Sequence, residues 1–234
     1  MRDSELKMFH HTHPYPPFIP PNATKLIVGT LPPPRFTTGD LKEGDVNFCY
    51  GSRDGQLWTI LNAIFSLGLH YDTTDQAIKQ RKDFLINQKI GVCDIVNSAY
   101  RQKVDASDIG MQDVELRDVL EYIQQNEEVA TLLFTGGNSK NGPEYFFRKL
   151  LKDYDLKLTI ISDIVPRVYS FCLPRIKGVK NEKERIIKTV SLTAPSGAAN
   201  RAVGSLLAYK KMKQDFPHKN TIDFRVEQYT PFFI

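Results

Sequence analysis

The stretch "KLIVGTLPPPRFTTGD", Lys25 to Asp40, decides how this chain is read. Its opening places Leu26, Ile27 and Val28 side by side, as in a strand buried on both faces. Gly29, Thr30 and Leu31 follow, and then Pro32, Pro33 and Pro34. The loop leaving the carboxyl end of such a strand is where an open α/β sheet binds its ligands. Three successive residues without an N–H cannot cradle a phosphate, which needs glycines and free backbone donors. They can form a stiff wall for a flat group, or press a nucleic-acid backbone without flexing.

Downstream, strand and helix patterns alternate. "QLWTILNAIFSLGL" sets Leu57, Ile60, Leu61, Ile64 and Phe65 on one helical face. "TTDQAIKQRKDFLINQK" reads as an amphipathic helix with Thr74 as N-cap. "IGVCDIV" is a second strand, "MQDVELRDVLEYIQQN" a third helix and "VATLLFTGG" a third strand. "GPEYFFRKLLKDY" is a helix with Pro143 in its first turn. "KLTIIS" and "IIKTVSLTAPSG" are the fourth and fifth strands, and "ANRAVGSLLAYKKMKQDF" is a long helix. "NTIDFRVEQY" reads as a closing strand, and the tail "YTPFFI" is expected to pack back on the core. Alternation with near-continuous apolar strands means an α/β fold with a mainly parallel sheet covered on both faces.

The expected organisation is a Pro-rich arm over 1–24 ahead of a single domain over 25–234. In the arm, His10, His11 and His13 have no nearby carboxylate or cysteine to complete a metal site, so no metal is expected. "RIKGVKNEKER", 175–185, reads as a charged insertion, a solvated loop or mobile hairpin. The chain has 234 residues, 41% of them hydrophobic, enough for a sizeable core. A net charge of +4 permits an anionic partner without demanding one. Cys49, Cys93 and Cys172 are too few and too scattered for a disulfide framework, and point to a reducing compartment. No N-terminal apolar run reads as a signal peptide, and no segment approaches the ~18 apolar residues of a membrane span. A cytoplasmic monomer is expected.

The segments that leave the strand ends carry the candidate chemistry. They are "GTLPPPRFTTGD", "CDIVNSAYR", "FTGGNSKNG" and "LTAPSGAANRA". "NFCYGSRDGQLWTIL", Asn47 to Leu61, adds an aromatic, polar run just before a helix, where anions or water can be held. Pro195-Ser196-Gly197 opens a helix with Arg201 in its first turns, a good phosphate contact. Neither GxGxxG nor GxxxxGK[ST] occurs, so no nucleotide cofactor is supported. His70 and His218 fall at helix ends away from these loops, which argues against imidazole-based catalysis.

Taken in order, these pieces resemble the uracil-DNA glycosylase superfamily, with the closest similarity to its mismatch-specific uracil and hypoxanthine-DNA glycosylase branches. The resemblance rests on Gly29-Thr30-Leu31-Pro32, Tyr50 through Leu57-Trp58, Gly91 through Val96, and Pro195-Ser196-Gly197 with Asn200 and Arg201. It spans about residues 25 to 212. It implies a three-layer α/β/α sandwich around a short parallel sheet. It also implies cofactor-free hydrolysis of the N-glycosidic bond of a deaminated or mismatched base in DNA, in base-excision repair. Such an enzyme flips the base into a pocket and stabilises the charge that grows on it.

Carried over residue by residue, Tyr50 is the aromatic that stacks on the base. Thr30 and Leu31 line its pocket, and Asp94 reads its hydrogen-bonding edge. Pro195, Ser196, Gly197, Asn200 and Arg201 meet the DNA. The departures are as informative. Relatives place a water-activating Asn where Leu31 stands, or else one at the position of Gly55. Asp54 beside Gly55 is the candidate replacement, with Ser52 and Asp45 as further candidates. Two other readings compete. One is a member of the fold that binds a base or nucleic acid without cutting; the other is a hydrolase of free nucleosides or other small molecules.

Overall fold

The computed structural model describes residues 8–174 and 184–234. The insertion expected at 175–185 lies outside them, apart from its last two residues. The chain opens with β1 (Phe9–Thr12), then β2 (Lys25–Val28) and the single turn α1 (Arg35–Thr38). The three prolines enter α1 without strain. Their missing N–H groups are ones a first turn leaves unbonded, while the carbonyls of Pro33 and Pro34 accept from Phe36, Thr37 and Thr38.

Next come α2 (Leu57–Phe65), α3 (Asp75–Asn87), β3 (Ile90–Val92), β4 (Val96–Arg101), β5 (Gln112–Leu116), α4 (Val119–Gln125), β6 (Thr131–Phe134) and α5 (Pro143–Asp153). The rest is β7 (Thr159–Ser162), β8 (Arg167–Leu173), β9 (Arg185–Ser191), α6 (Asn200–Ser205), α7 (Leu207–Asp215) and α8 (Thr221–Phe233). Thr74 caps α3 as expected, its Oγ1 accepting from the N–H of Ala77. Pro143 stands in the first turn of α5.

The main sheet has the order β3-β2-β6-β9-β8-β7. β3, β2, β6 and β9 run parallel, and β8 and β7 extend the sheet antiparallel. Alternate residues of the central strands feed two apolar clusters. Leu26, Val28, Leu132 and Phe134 join α4 and α5 in one. Ile27, Leu133 and Val190 join α2, α3 and α8 in the other. Burial of both strand faces is why these strands read as continuous apolar runs. Among the described residues no helix is long and apolar enough to cross a membrane.

Four expectations are corrected. "IGVCDIV" is not one strand: β3 ends at Val92, and Cys93-Asp94-Ile95 carries the chain over to a second, antiparallel sheet of order β1-β4-β5. The first half of "MQDVELRDVLEYIQQN" is β5 of that sheet, and Asp118 starts α4 by accepting from Glu121 N–H. The long helix breaks at Leu206, which is extended (φ −66°, ψ 135°). "NTIDFRVEQY" is helix α8, not a strand. Asn220 and Asp223 form a capping box at its start. Arg225, Tyr229 and Phe233, four apart, all face inward. β1 and β8 went unrecognised.

Helix α8 carries the tail onto the core, as expected. Tyr229 is fully buried and donates its hydroxyl to the carbonyl of Thr193, 2.6 Å away, in the loop after β9. Tyr229→Ala should therefore cost about 3–5 kcal/mol in urea unfolding. Tyr229→Phe, which only orphans a carbonyl, should cost about 1–3 kcal/mol.

Candidate functional site

The loops that leave β2, β6 and β9, together with the Cys93–Ile95 crossover, converge on a cavity of about 350 Å³. That is at the small end of ligand sites, about 300–1,000 Å³. Thr30, Leu31, Tyr50 and Asp94 line it, as do Ser52, Asp54, Pro195, Ser196 and Gly197. Nine of the twelve residues singled out in the sequence therefore meet here, from four separate segments.

Asp94 organises the floor. Its Oδ1 accepts from the Gly29 N–H at 2.7 Å and from the Tyr50 hydroxyl at 2.6 Å. Its Oδ2 lies 2.9 Å from His13 Nε2. The N–H of Tyr15 donates to His13 Nδ1, so Nε2 carries the proton that Asp94 receives. Burial first, and then the Asp94 charge, push the Tyr50 phenol well above its ordinary range, so it stays a donor. Tyr50 holds a left-handed backbone, φ 58°, a strained conformation for an aromatic residue. Gly29 makes the contact possible: a Cβ there would stand 2.3 Å from the Tyr50 hydroxyl and 2.8 Å from Thr135 Oγ1.

His13 and Tyr15 bring the N-terminal arm into the cavity wall. His70 and His218, the histidines weighed for catalysis in the sequence, do not line it; His13 was not foreseen there. β1 pairs with β4, and the three histidines diverge. His10 stacks on Tyr100. His11 turns inward and accepts from Arg101 Nε at 2.8 Å. Successive side chains of a strand point to opposite faces, which separates His10 from His11.

Asp45 stays outside the cavity. It is fully buried, paired by two hydrogen bonds to Arg35 (2.7 and 2.8 Å), and accepts from the N–H groups of Lys42 and Arg53. Burial alone would raise its carboxyl, but Arg35 and the two N–H groups outweigh that and hold it at about 2. The same guanidinium donates to Ser52 Oγ at 2.8 Å and to Asp54 Oδ2 at 3.1 Å. All three candidate catalytic residues are thus tied to Arg35. The Asp54 side chain, 67% exposed, stands at the mouth.

A second guanidinium fixes the opposite rim. Buried Arg225 donates to the Ser196 carbonyl, to Gln56 Oε1 and to Asn200 Oδ1. Gln56 N–H in turn donates to the Pro195 carbonyl. Asn200 therefore braces the loop and does not line the cavity. Arg201 is exposed beyond it.

No family model, curated protein or solved structure matches this chain. The chemistry of the cavity rests on its own groups. One of them went unnoticed in the sequence. Asp108, from the single turn Asp108–Gly110, lines the cavity and accepts from Thr30 Oγ1 at 2.8 Å. Burial raises its carboxyl to about 6, with Asp94 adding to the rise and Thr30 and Arg101 opposing it. "VDASDIG" looks like an ordinary polar loop, and only the second sheet brings it here.

Two substitutions test this framework. Gly29→Ala should force Tyr50 off Asp94 and lower the urea midpoint by about 1–3 kcal/mol of stability. Asp45→Asn, which leaves Arg35 without its buried partner, should cost about 3–5 kcal/mol at pH 7. The folded carboxyl titrates at about 2, below its free value of 3.8. The wild type's advantage should therefore hold above pH ~4 and shrink as pH falls toward ~2, as stability curves of both proteins would show.

Proposed function

We propose that the protein is a DNA glycosylase that hydrolyses the N-glycosidic bond of a deaminated or mismatched base of the uracil or hypoxanthine class. In this reading the fold is a three-layer α/β/α sandwich of the uracil-DNA glycosylase type. The observation that carries the reading is the convergence of four separated segments on one small cavity. The segments are Thr30–Pro33, Tyr50–Gly55, Asp94 and Pro195–Gly197, the ones on which the sequence resemblance rests.

The cavity suits a flipped base. Pro32, Pro33 and the Tyr50 ring offer flat apolar surface, and Asp94 offers a polar edge held in place by three donors. Stacking plus edge hydrogen bonds is how an extruded base is held. The Ser196–Gly197 rim and exposed Arg201 would meet the DNA backbone. Asp54 at the mouth is the candidate to position water. The engagement of Ser52 and Asp54 with Arg35 favours a second reading, in which the cavity binds a base without cutting.

The test is incubation with end-labelled oligonucleotides carrying uracil, hypoxanthine, xanthine or a G·T mismatch, followed by alkali. Cleavage of at least one is expected. Tight lesion binding with no abasic product over hours would establish the binding reading instead. DNA affinity should fall steeply as salt rises, because phosphate contacts release counterions; an affinity indifferent to salt would point to a free nucleoside or another small molecule.

A further inference from the structure

A second cavity of about 300 Å³ adjoins the first, between the loops that follow β6 and β9. Gly136, Ser139 and Arg167 are among its lining residues. Among the described residues, only Asp108, Thr135 and Ala194 line both cavities. A nucleotide with its base in the first cavity and its sugar at the boundary with the second would carry its glycosidic bond across this shared rim. Of the three rim residues, Asp108 alone can ionise.

The rim carboxyl is held in place. Thr30 Oγ1 donates to Oδ1, and among the described residues no hydrogen bond engages Oδ2. Behind it, the buried Asn141 side chain donates to the backbone carbonyls of Asp108 (2.9 Å) and Met111 (3.0 Å), which clamps the turn. Groups fixed in this way lose little freedom when they act. Asp54, by contrast, is solvated at the mouth, paired with Arg35 and absent from the second cavity. Thr30 also adjoins Leu31, so the Asp108 carboxyl reaches the stretch of loop that lacks a water-holding side chain.

We propose that Asp108 is the catalytic carboxylate at the reacting carbon, a role that rests on the glycosylase reading above. Water attacks the sugar C1′, the C1′–N bond breaks, and its electron pair leaves with the base. Asp108 takes the proton of the attacking water and later releases it to solvent, while the departing base takes a proton from solvent. The products are an abasic sugar bearing a C1′ hydroxyl and the free base. The negative carboxylate also stabilises the positive charge that grows on the sugar. The charged groups that act on it are Arg101 from β4, which also donates to His11 and lies 3.8 Å from Asp105, and Asp94 from the crossover, which is bonded to His13. A carboxyl titrating at about 6 is matched to a base working near neutral pH.

The experiment is single-turnover cleavage of the best oligonucleotide from the panel, across pH 5 to 8, by the wild type, Asp108→Asn and Thr30→Ala. The wild-type rate should fall below pH ~6 as the carboxyl protonates. Asp108→Asn should be slower by about 100-fold or more at pH 7.5. Its affinity for the same duplex with a non-cleavable 2′-fluoro sugar should stay within about threefold of wild type. Thr30→Ala removes a hydrogen bond to the charged form, so its acidic limb should move to higher pH. This readout does not depend on the Asn variant folding, and no purely structural role would move it. If the wild type cleaves while Asp108→Asn matches its rate, or while the Thr30→Ala limb stays put, the role of Asp108 is overturned and the glycosylase reading stands. If the wild type cleaves nothing in the panel, both fall together.

Discussion

The Asp94 carboxylate is the constraint around which the cavity is built. A buried carboxylate is costly unless its oxygens find donors. Here three donors come from three distant parts of the chain: Gly29 at the end of β2, Tyr50 ahead of α2, and His13 in the arm. Each concession nearby follows from that bond set. Gly29 must lack a side chain, Tyr50 accepts a left-handed backbone, and the arm must fold across the strand ends. The second sheet answers the last requirement, since β1 pairs with β4, whose own entry begins at the crossover that carries Asp94.

Two guanidinium hubs hold the rims in the same way. Arg35 gathers Asp45, Ser52 and Asp54, and Arg225 gathers Gln56, Ser196 and Asn200. Arg35 is paired with carboxylates and Arg225 with neutral acceptors; a buried charge pair adds little net stability over an apolar packing, but breaking one is expensive. Their effect here is geometric. A planar fork with five donors can bind several loop atoms at once, which turns two irregular loops into fixed walls. The rim residues shared by the two cavities are thereby framed by loops that these hydrogen bonds tie down.

Much of the main sheet was legible because its physics is local. A strand covered on both faces must be apolar throughout, and "KLIV" and "TLLF" show it. A helix covered on one face repeats at 3.6 residues, and α2 and α5 show that. The errors arose where the signal was divided. "NTIDFRVEQY" alternates enough to pass for a strand, yet the capping box and the four-residue spacing of Arg225, Tyr229 and Phe233 declare a helix. β1, β4 and β5 are short strands of a partly exposed sheet, with polar residues interleaved and no continuous apolar run.

The sequence alone determined the order of the loops at the strand ends, and hence six of the residues that line the cavity, because a parallel strand sends its following loop to its carboxyl end; Tyr50, Ser52 and Asp54 came from the resemblance. It determined the stiffness of the proline wall, since that is a property of the residues themselves. Tertiary structure alone decided which polar groups are tools and which are braces. Asp45 and Asp54 look equivalent in the sequence, yet one is sealed against Arg35 and the other stands in solvent. Asp108 and His13 look incidental, yet both face the cavity. The role of a carboxylate or an imidazole depends on its burial and its partners, and the side-chain partners of these four lie between 10 and 81 residues away along the chain.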